Sequence, residues 1–300
     1  MLTINLNKKY WKSSIEFFAY NRNFKIKLSG GEKKEIFVND VSYQSFSNIS
    51  GNFLCLIFSP THLSLVKGSP QERRHSLDTV ISQVKPRYSA ILNEYNKILN
   101  QRNTLLKDSC NMPELLDTLP IWDKALISRG ALISKTRKTY LEKLLPKAKD
   151  IYSGISRGKE ELDLNFVGIC DENELENALK EALPDDIKSG FTSCGPHRDD
   201  VEIKLSDLSA KAFASQGQQR SIVLALKLGE SSLIEEVTGE MPIILLDDVM
   251  SELDESRREY LLHNLKDKQI FITCCDKHQI ASAEALFECT EGKIVPSLRK

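Results

Sequence analysis

The sequence predicts an α/β protein in which a mixed sheet is built from both ends of the chain, with a mainly helical segment inserted between them. Ile243–Leu246 are four consecutive apolar residues, a pattern typical of a strand buried on both faces of a parallel sheet. Between Pro86 and Leu145, apolar residues instead recur at helical spacing. We call the unit that contains this sheet the head. The chain then divides into a β-rich N-terminal part of the head (1–65), a helical insertion (66–190) and a C-terminal part of the head (191–300).

The composition is that of a globular protein and excludes several classes. The 300 residues are 41% hydrophobic and 28% charged, with a net charge of −1, so any nucleic-acid surface must be local. Seven cysteines without a Cys-x-x-Cys pair argue for a reducing compartment, and Cys274 and Cys275 are expected in the core. Neither a membrane span nor a signal-peptide core is visible, and we expect a cytoplasmic protein.

The N-terminal part reads as strands. Phe24, Ile26 and Leu28 alternate with lysines, which predicts a strand with one solvated face. A turn at Ser29–Lys34 then leads to a second strand at Glu35–Val38. Another buried strand is predicted between Phe53 and Phe58, whereas the weakly patterned opening residues support no assignment.

The insertion reads as long amphipathic helices that pack as an antiparallel pair. Ser69 and Pro70 have the residue types of an N-cap and a first helical position, and two longer helices are predicted from Pro86 to Lys107 and from Pro120 to Leu145. These segments are rich in basic residues: Lys67, Arg73, Arg74, Lys85, Arg87, Lys97, Arg102, Lys107, Lys124, Arg129, Lys135, Arg137, Lys138, Lys143, Lys147 and Lys149. A solvated helix face and a surface for DNA phosphates both fit this pattern.

Two further segments follow the insertion's long helices. Residues 171–188 are acidic with a helical apolar stripe, which favours a short exposed helix. Thr192–Asp200 packs Gly195, Pro196, His197, Arg198 and two acids before an alternating strand at 201–205, and this density of polar groups favours a functional loop.

The chemistry-bearing residues lie near the C-terminus. Ser215–Arg220 precedes an apolar helix whose start exposes backbone N–H groups suited to phosphate, although the residues alone favour an ordinary N-cap. The Ile243–Leu246 strand ends in Asp247 and Asp248, at the strand end where α/β sheets bind ligands. Asp247 would hold Mg²⁺ and Asp248 would polarise water; an Asp-rich turn is the alternative.

The remaining elements predicted are a helix at Glu255–Leu265, a buried strand at Gln269–Cys275, a helix at His278–Leu286 and a turn and strand at Glu288–Val295.

These stretches together resemble the RecF family of bacterial recombination proteins, which belong to the ABC-ATPase class. The similar segments are Phe58–Pro60, Leu65–Arg74, Leu77-Asp78, Ile81–Gln83, Pro86–Tyr88, Leu99–Lys107, Gly195–Asp200, the signature-like Ser215–Arg220, the Walker-B-like Ile243–Asp248 and the D-loop-like Ser251–Asp254. The resemblance runs in one order over about residues 20–300, and it implies an ABC-ATPase-like head.

The resemblance implies roles for individual residues. Asp247 would bind Mg²⁺ and Asp248 would occupy the position of the catalytic carboxylate. Ser215, Gln216, Gly217 and Gln218 would contact ATP, with Ser215 and Gly217 meeting the γ-phosphate of a nucleotide held by a second subunit. Asp254 would lie at the interface of an ATP-dependent homodimer.

The resemblance also implies partners and a setting. The family binds single-stranded DNA and single-strand/double-strand junctions and helps RecO and RecR to load RecA at gaps, in the context of DNA damage and the SOS response. The DNA contacts expected in this chain are Arg73, Arg74, Arg87, His197 and Arg198.

One motif of such ATPases is missing from the 300 residues. No Gly-x-x-x-x-Gly-Lys-[Ser/Thr] loop occurs; neither Gly158-Lys159 nor Gly292-Lys293 has the required spacing. Either the reading frame starts late, the chain is a fragment, or nucleotide binding has been lost. The ATPase activity is therefore left open, and the alternative function is a DNA- or protein-binding remnant of the same fold that binds no nucleotide. An SMC-type head is disfavoured because no long heptad pattern is present.

Overall fold

The computed structural model describes residues 11–31, 34–43, 45, 49, 51–275, 283–290 and 293–297. Its strands are β1 (Trp11–Ala19), β2 (Arg22–Gly30), β3 (Glu35–Val38), β4 (Val41–Tyr43), β5 (Cys55–Phe58), β6 (Leu162–Val167), β7 (Asp200–Leu205), β8 (Leu208–Ser209), β9 (Ile243–Asp247), β10 (Ile270–Thr273), β11 (Phe287–Thr290) and β12 (Lys293–Pro296). Its α-helices are α1 (Ser64–Lys67), α2 (Pro70–Val84), α3 (Pro86–Asp108), α4 (Leu119–Ser156), α5 (Glu172–Ser189), α6 (Ala210–Phe213), α7 (Gln216–Thr238), α8 (Val249–Glu252) and α9 (Glu255–Asn264).

The N-terminal strands form an antiparallel sheet in the order β1-β2-β3-β4. Two-residue turns with positive φ close its outer hairpins, at Tyr20-Asn21 and at Asn39-Asp40, as the twist of a tight hairpin requires. Phe24, Ile26 and Val38 form a small core of their own under this sheet. The predicted strands over 24–28 and 35–38 are confirmed, and β1 is an element that the sequence did not reveal.

The parallel sheet has the order β10-β9-β5, so the strand that carries Asp247 is central. Its two faces differ, because Leu56 and Ile244 lie on a buried face whereas their neighbours Ile57 and Phe271 are 49% and 55% exposed. On β9 itself Ile244 and Leu246 are buried and Ile243 and Leu245 are half-buried, so the prediction of a strand buried on both faces holds fully for one face only. No helix among the described residues covers that side well enough to bury Ile57 or Phe271.

The long helices of the insertion are confirmed, with α4 extending eleven residues beyond the predicted end at Leu145, to Ser156. Helix α2 begins as the sequence predicted, with Ser69 as N-cap, Pro70 in the first turn and Glu72 completing a capping box. Helices α3 and α4 run antiparallel, since Arg102 contacts Asp123 at one end of the pair and Arg129 contacts Glu94 further along.

A third sheet, β6-β7-β8, joins the insertion to the C-terminal part of the chain. Strand β6 was not predicted; it pairs antiparallel with β7 from Leu162↔Leu205 to Val167↔Asp200. The predicted boundary at residue 190 is thus crossed by a strand pair. Helix α5 matches the predicted acidic helix, and Asp171 caps it through the N–H groups of Asn173 and Glu174.

Near the C-terminus the predictions hold in part. Strand β10 ends at Thr273, so Cys274 lies outside the strand and Cys275 is exposed; the prediction that both are core residues is wrong. The helix predicted at His278–Leu286 falls largely outside the described residues. Of the turn and strand predicted at Glu288–Val295, the described residues form the antiparallel pair β11–β12.

Helix α7 lies at the centre of the main core. Its residues from Ser221 to Ser231 are buried continuously, and one cluster of buried side chains joins it to the parallel sheet, α4 and the β6–β7 pair. Close packing against α4 requires a small residue at Gly229, where a Cβ would meet Leu144 at 3.1 Å. Among the described residues, no helix is long and apolar enough to cross a membrane.

Candidate functional site

The carboxyl end of β9 presents the two acids that the sequence singled out. Asp247 is exposed, and its Oδ1 accepts a hydrogen bond from the Thr273 hydroxyl at 2.8 Å, which links it to the end of the neighbouring strand β10. Asp248 is exposed and adopts a left-handed conformation with φ of 54°, and its N–H donates to the carbonyl of Thr273 at 3.2 Å. Such a conformation is uncommon outside glycine, and here it turns the chain sharply from β9 into α8.

The residues after this turn form two short helices, α8 and α9. The Ser251 hydroxyl donates to Asp248 Oδ1 at 3.1 Å, which holds that carboxylate beside the start of α8. Asp254 caps α9, since its Oδ1 accepts from the N–H of Arg257 at 2.9 Å. The D-loop-like segment therefore displays Asp254 on the surface with its orientation set by the helix that it begins.

The signature-like turn is the start of α7. The Ser215 Oγ accepts from the Gln218 N–H at 3.3 Å, and the Gln218 side chain reciprocates by accepting from the Ser215 N–H at 2.6 Å. This capping box leaves the Ser215 hydroxyl proton available to a ligand. Ser215 and Gln216 are exposed, and Gly217 and Gln218 are half-buried.

Two arginines join the signature-like turn to the D-loop-like segment. Arg257 pairs with Asp254 and donates from Nε to the Ser221 hydroxyl on α7 at 2.8 Å. Arg220 of α7 pairs with Glu252 at the end of α8. The structure thus brings the signature-like turn and the segment that follows the β9 acids together within one chain, although their motifs lie about thirty residues apart in sequence.

The donor set fits Mg²⁺ and ATP only in part. Asp247 supplies a carboxylate of the kind that Mg²⁺ prefers, and Ser215 with its helix start supplies phosphate donors. However, no group of three or more acidic, His or Cys side chains that could hold a metal occurs among the described residues, and no phosphate loop occurs in the 300-residue sequence. The 300 residues therefore include the candidate carboxylates and the signature-like turn, but no Gly-x-x-x-x-Gly-Lys-[Ser/Thr] sequence.

The predicted DNA-contacting residues have different surroundings. Arg73 is only 7% exposed and binds both carboxylate oxygens of Asp200, at 2.6 and 2.9 Å, so we correct its assignment as a DNA contact. Arg74 is half-buried and donates to the Asp199 carbonyl at 2.6 Å. Arg87 and Arg198 are exposed.

The loop around His197 is anchored from the interior. The Tyr95 hydroxyl lies 2.7 Å from His197 Nδ1, and His197 Nε2 lies 2.9 Å from the Thr192 carbonyl. An Nε2–H tautomer satisfies both contacts, with Tyr95 donating to Nδ1. Burial is the main reason that the pKa of His197 is lowered, which favours this neutral form. His197 therefore supports the loop from inside, whereas the side chain of Arg198 is exposed on the surface of the loop.

The structure also reveals a buried charge network that the sequence reading missed. Arg137 donates to Asp78, to Asp199 and to the Pro196 carbonyl, and it is 2% exposed. Burial raises the pKa of Asp199 to about 6, against the opposing hydrogen bonds from Ser134 and Arg137. These contacts fasten the 195–200 loop to α2 and α4.

A second buried pair fixes the other end of the insertion. Arg102 and Asp186 are both fully buried and 2.8 Å apart, and Arg102 also bonds Asp123 and the Thr192 hydroxyl. Arg73, Arg102 and Arg137 were all included in the predicted solvated basic face. Each lies on the inner side of its helix, and only the spacing of Arg102 next to buried Leu99 and Leu106 hinted at this.

Comparisons with known proteins point to one family. A DNA replication and repair protein RecF from Ruminiclostridium cellulolyticum is 38% identical over 272 residues, which cover 87% of this chain and 73% of the relative. Another, from Clostridium acetobutylicum, is 40% identical over 278 residues, covering 91% and 74%. No protein-family model matches the chain.

Solved structures of the same family resemble this chain. A structure of the recombination mediator protein RecF-ATPrS in the RecFOR pathway superposes with a TM-score of 0.89 at 35% identity, over 97% of this chain and 81% of that one. A structure of RecF-ATP in the same pathway gives 0.86 at 32% identity. An Smc head domain from Pyrococcus yayanosii, at 14% identity and a TM-score of 0.51, shares the ABC-type head fold alone.

Proposed function

Because this chain belongs to the RecF family of DNA replication and repair proteins, we propose that it binds single-stranded DNA and single-strand/double-strand junctions in an ATP-linked manner and assists RecA loading at gaps together with RecO and RecR. The observation that carries the ATP-linked part is the contact between the signature-like turn and the D-loop-like segment through the ion pair of Arg220 with Glu252. That contact joins two motifs. By the family resemblance, the signature-like turn would contact nucleotide and the D-loop-like segment would contact the partner subunit.

In this proposal the exposed acids and the signature-like turn of one copy contact different nucleotides. Asp247 binds Mg²⁺ and Asp248 orients water, whereas Ser215 and Gly217 approach the phosphate of a nucleotide held by a second copy. ATP, where bound, would supply the charge that draws the two copies together. Asp254, displayed on the surface at the start of α9, would face the second copy in a homodimer.

DNA contact is proposed for the exposed basic residues rather than for the buried ones. Lys and Arg side chains that neutralise phosphates give binding that weakens steeply with salt and does not read sequence. Arg87, at the start of α3, and Arg198, at the surface of the 195–200 loop, are exposed and chemically suited to this role. Arg74 lies beside Asp199 and contributes less, because its guanidinium is already partly used.

Charge reversal tests the DNA proposal. We expect Arg87→Glu and Arg198→Glu each to weaken binding of the 300-residue chain to a gapped duplex and to reduce the slope of log affinity against log salt by about one. Fluorescence anisotropy over a salt series measures both quantities. Lys180→Glu on the acidic helix α5, where Lys180 pairs with Glu176, is the matched control and should leave affinity nearly unchanged.

The outcomes separate clearly. Unchanged affinity and slope in both variants would remove these residues from the interface. Equal weakening in all three variants would show that only net charge matters. No binding of gapped DNA by the unsubstituted chain would contradict the proposed DNA function itself.

A further inference from the structure

The signature-like turn is held by a contact that its own capping does not require. The carboxamide of Gln218 uses its oxygen on the Ser215 N–H, and its Nε2 donates to Glu160 Oε1 at 2.5 Å. Gln218 is thereby fixed at both ends of its amide group. Glu160 lies outside α7, in the connection between α4 and β6, so this contact brings a distant segment of the chain to the start of the signature helix.

Glu160 is in turn oriented from the interior. Its second oxygen accepts a hydrogen bond from the Tyr152 hydroxyl at 2.7 Å. Tyr152 is 1% exposed and sits in the last turn of α4, where close packing leaves its ring little freedom. The hydrogen-bonded series therefore runs from Tyr152 to Glu160 to Gln218 and ends at the backbone of Ser215.

We propose that Glu160 is a positioning residue for the signature-like turn. With Tyr152 it sets the orientation of the Gln218 carboxamide, and Gln218 then holds the Ser215 backbone in the geometry in which its hydroxyl and the first N–H groups of α7 point at a ligand. Pre-organised donors of this kind bind charge without the cost of ordering at the moment of contact. The inference rests on the proposed function for its biological meaning, since Ser215 matters there as a phosphate contact.

The same series gives α4 a second role. Helix α4 belongs to the insertion whose surface is proposed to meet DNA, and its last turn supplies Tyr152. The end of that helix thus acts on the turn that would meet nucleotide. The tie is side-chain hydrogen bonding alone, so single substitutions can break it while the backbone is kept.

Hydrogen exchange of the amides of Ser215, Gln218 and Gln219, which donate hydrogen bonds within the turn, tests the proposal in the 300-residue chain. We expect Glu160→Ala to speed this exchange roughly tenfold, because a hydrogen bond to a charged group is lost. Glu160→Gln should restore nearly normal exchange, since its amide can bond both neighbours. Glu161→Ala is the matched control: the adjacent carboxylate is exposed and bonds Lys149, so it should leave the turn unchanged.

A double-mutant cycle distinguishes positioning through Gln218 from a general loss of packing. Gln218→Ala should speed exchange at least as much as Glu160→Ala, because it also removes the acceptor of the Ser215 N–H, and adding Glu160→Ala to it should have little further effect. Additive effects, exchange in Glu160→Ala equal to that of the unsubstituted chain, or equal acceleration in Glu161→Ala would each overturn the proposal. The measurement uses neither nucleotide nor DNA, so its result is independent of whether the proposed ATP-linked DNA binding holds.

Discussion

Arg137 shows why the basic residues of the insertion cannot be read as one surface. Its guanidinium is nearly fully buried and bonds both oxygens of Asp78, one oxygen of Asp199 and a backbone carbonyl. A fork of five donors suits this set of acceptors, and a lysine ammonium does not. The residue therefore fixes α2, α4 and the 195–200 loop to one another.

We predict that Arg137→Lys lowers the free energy of unfolding by about 3 kcal/mol, because two buried carboxylates lose part of their partner. Urea unfolding followed by circular dichroism measures the change. Arg129→Lys on the same helix is the control, with an expected effect below about 0.5 kcal/mol, since Arg129 and its partner Glu94 are about half exposed. Equal losses in both variants would contradict the assigned role of Arg137.

His62 gives the stability a pH dependence. Its Nδ1 accepts from the Ser59 N–H at 3.0 Å, and its pKa is lowered to about 4, mainly by burial and secondarily by the charge of Lys227. An unfolded histidine titrates near pH 6.5, so between these values the unfolded chain binds more protons than the folded one. The contribution of neutral His62 is therefore fully present above about pH 6.5 and is lost as the pH falls toward 4.

We expect this residue to account for about 1–2 kcal/mol of stability lost between pH 7 and pH 4, a value reduced for solvent screening because His62 is only half-buried. The measurement compares urea unfolding of the unsubstituted chain with that of His62→Asn at both pH values. Asparagine keeps an acceptor near the Ser59 N–H and does not titrate. Parallel pH curves for the two proteins would remove His62 as a cause; His197 titrates in both and cancels.

At the scale of elements, the two faces of the parallel sheet make different contributions. Leu56 and Ile57 are neighbours on β5, yet Leu56 is 2% exposed and Ile57 is 49% exposed. Since the side chains of a strand alternate between faces, the pair reports on the two sides of one sheet. The buried side packs into the main core, and the other side contains exposed Phe271.

We predict that Leu56→Ala costs about 2–5 kcal/mol, by loss of burial and creation of a cavity, whereas Ile57→Ala costs less than about 1 kcal/mol. Chemical denaturation of the 300-residue chain measures both, and each variant controls for the other. A cost for Ile57→Ala as large as for Leu56→Ala would mean that the second face is covered in solution.

How far the sequence predicted these elements depends on the kind of signal each one carries. Alternation identified β2, and apolar spacing with Ser69-Pro70 identified α2 and its neighbours, because those signals are local. Strand β6 also alternates, with Asp163 between Leu162 and Leu164, but it was missed because the run is only six residues long. Its pairing with β7 is a contact between distant parts of the chain.

For the candidate site, the sequence indicated which residues to consider and only part of their geometry. Ser215, Asp247, Asp248 and Asp254 came from motifs, and their placement at a helix start, a strand end and a helix cap follows from local rules. The inward direction of Arg73 did not, because an arginine on an amphipathic helix carries no local sign of the carboxylate that it will meet. Arg73 pairs with Asp200, which is 127 residues away in the sequence, so this pairing depends on the tertiary structure.

At the scale of the whole molecule, the insertion and the head share one core. The main cluster of buried side chains includes Leu56 of β5, Tyr95 of α3, Leu144 of α4 and Ile244 of β9. The β6–β7 pair crosses the predicted boundary at residue 190. We therefore expect a single cooperative unfolding transition for the described core, because one continuous cluster of buried side chains spans the insertion and the head.

The last prediction concerns nucleotide. The chain contains Asp247 and the signature-like turn, but no Gly-x-x-x-x-Gly-Lys-[Ser/Thr] sequence, whose amides and lysine would cradle the phosphates. We predict that the 300-residue chain by itself binds Mg²⁺-ATP analogues more weakly than micromolar, as measured by calorimetry, because the ATP-linked part of the proposed function needs a phosphate loop that these residues do not supply. Sedimentation velocity should correspondingly show no dimer formation on addition of nucleotide.

The variant Asp247→Asn distinguishes nucleotide binding at the candidate site from binding elsewhere on the chain. Micromolar binding that is lost in Asp247→Asn would overturn the prediction and support a nucleotide site built from the residues of this chain, because only site binding depends on that exposed carboxylate. Weak binding unchanged by the substitution would match the prediction. Combined with salt-dependent DNA binding, that result would favour the alternative function of a DNA-binding member of the fold that acts without nucleotide, since phosphate contacts through Arg87 and Arg198 need no ATP.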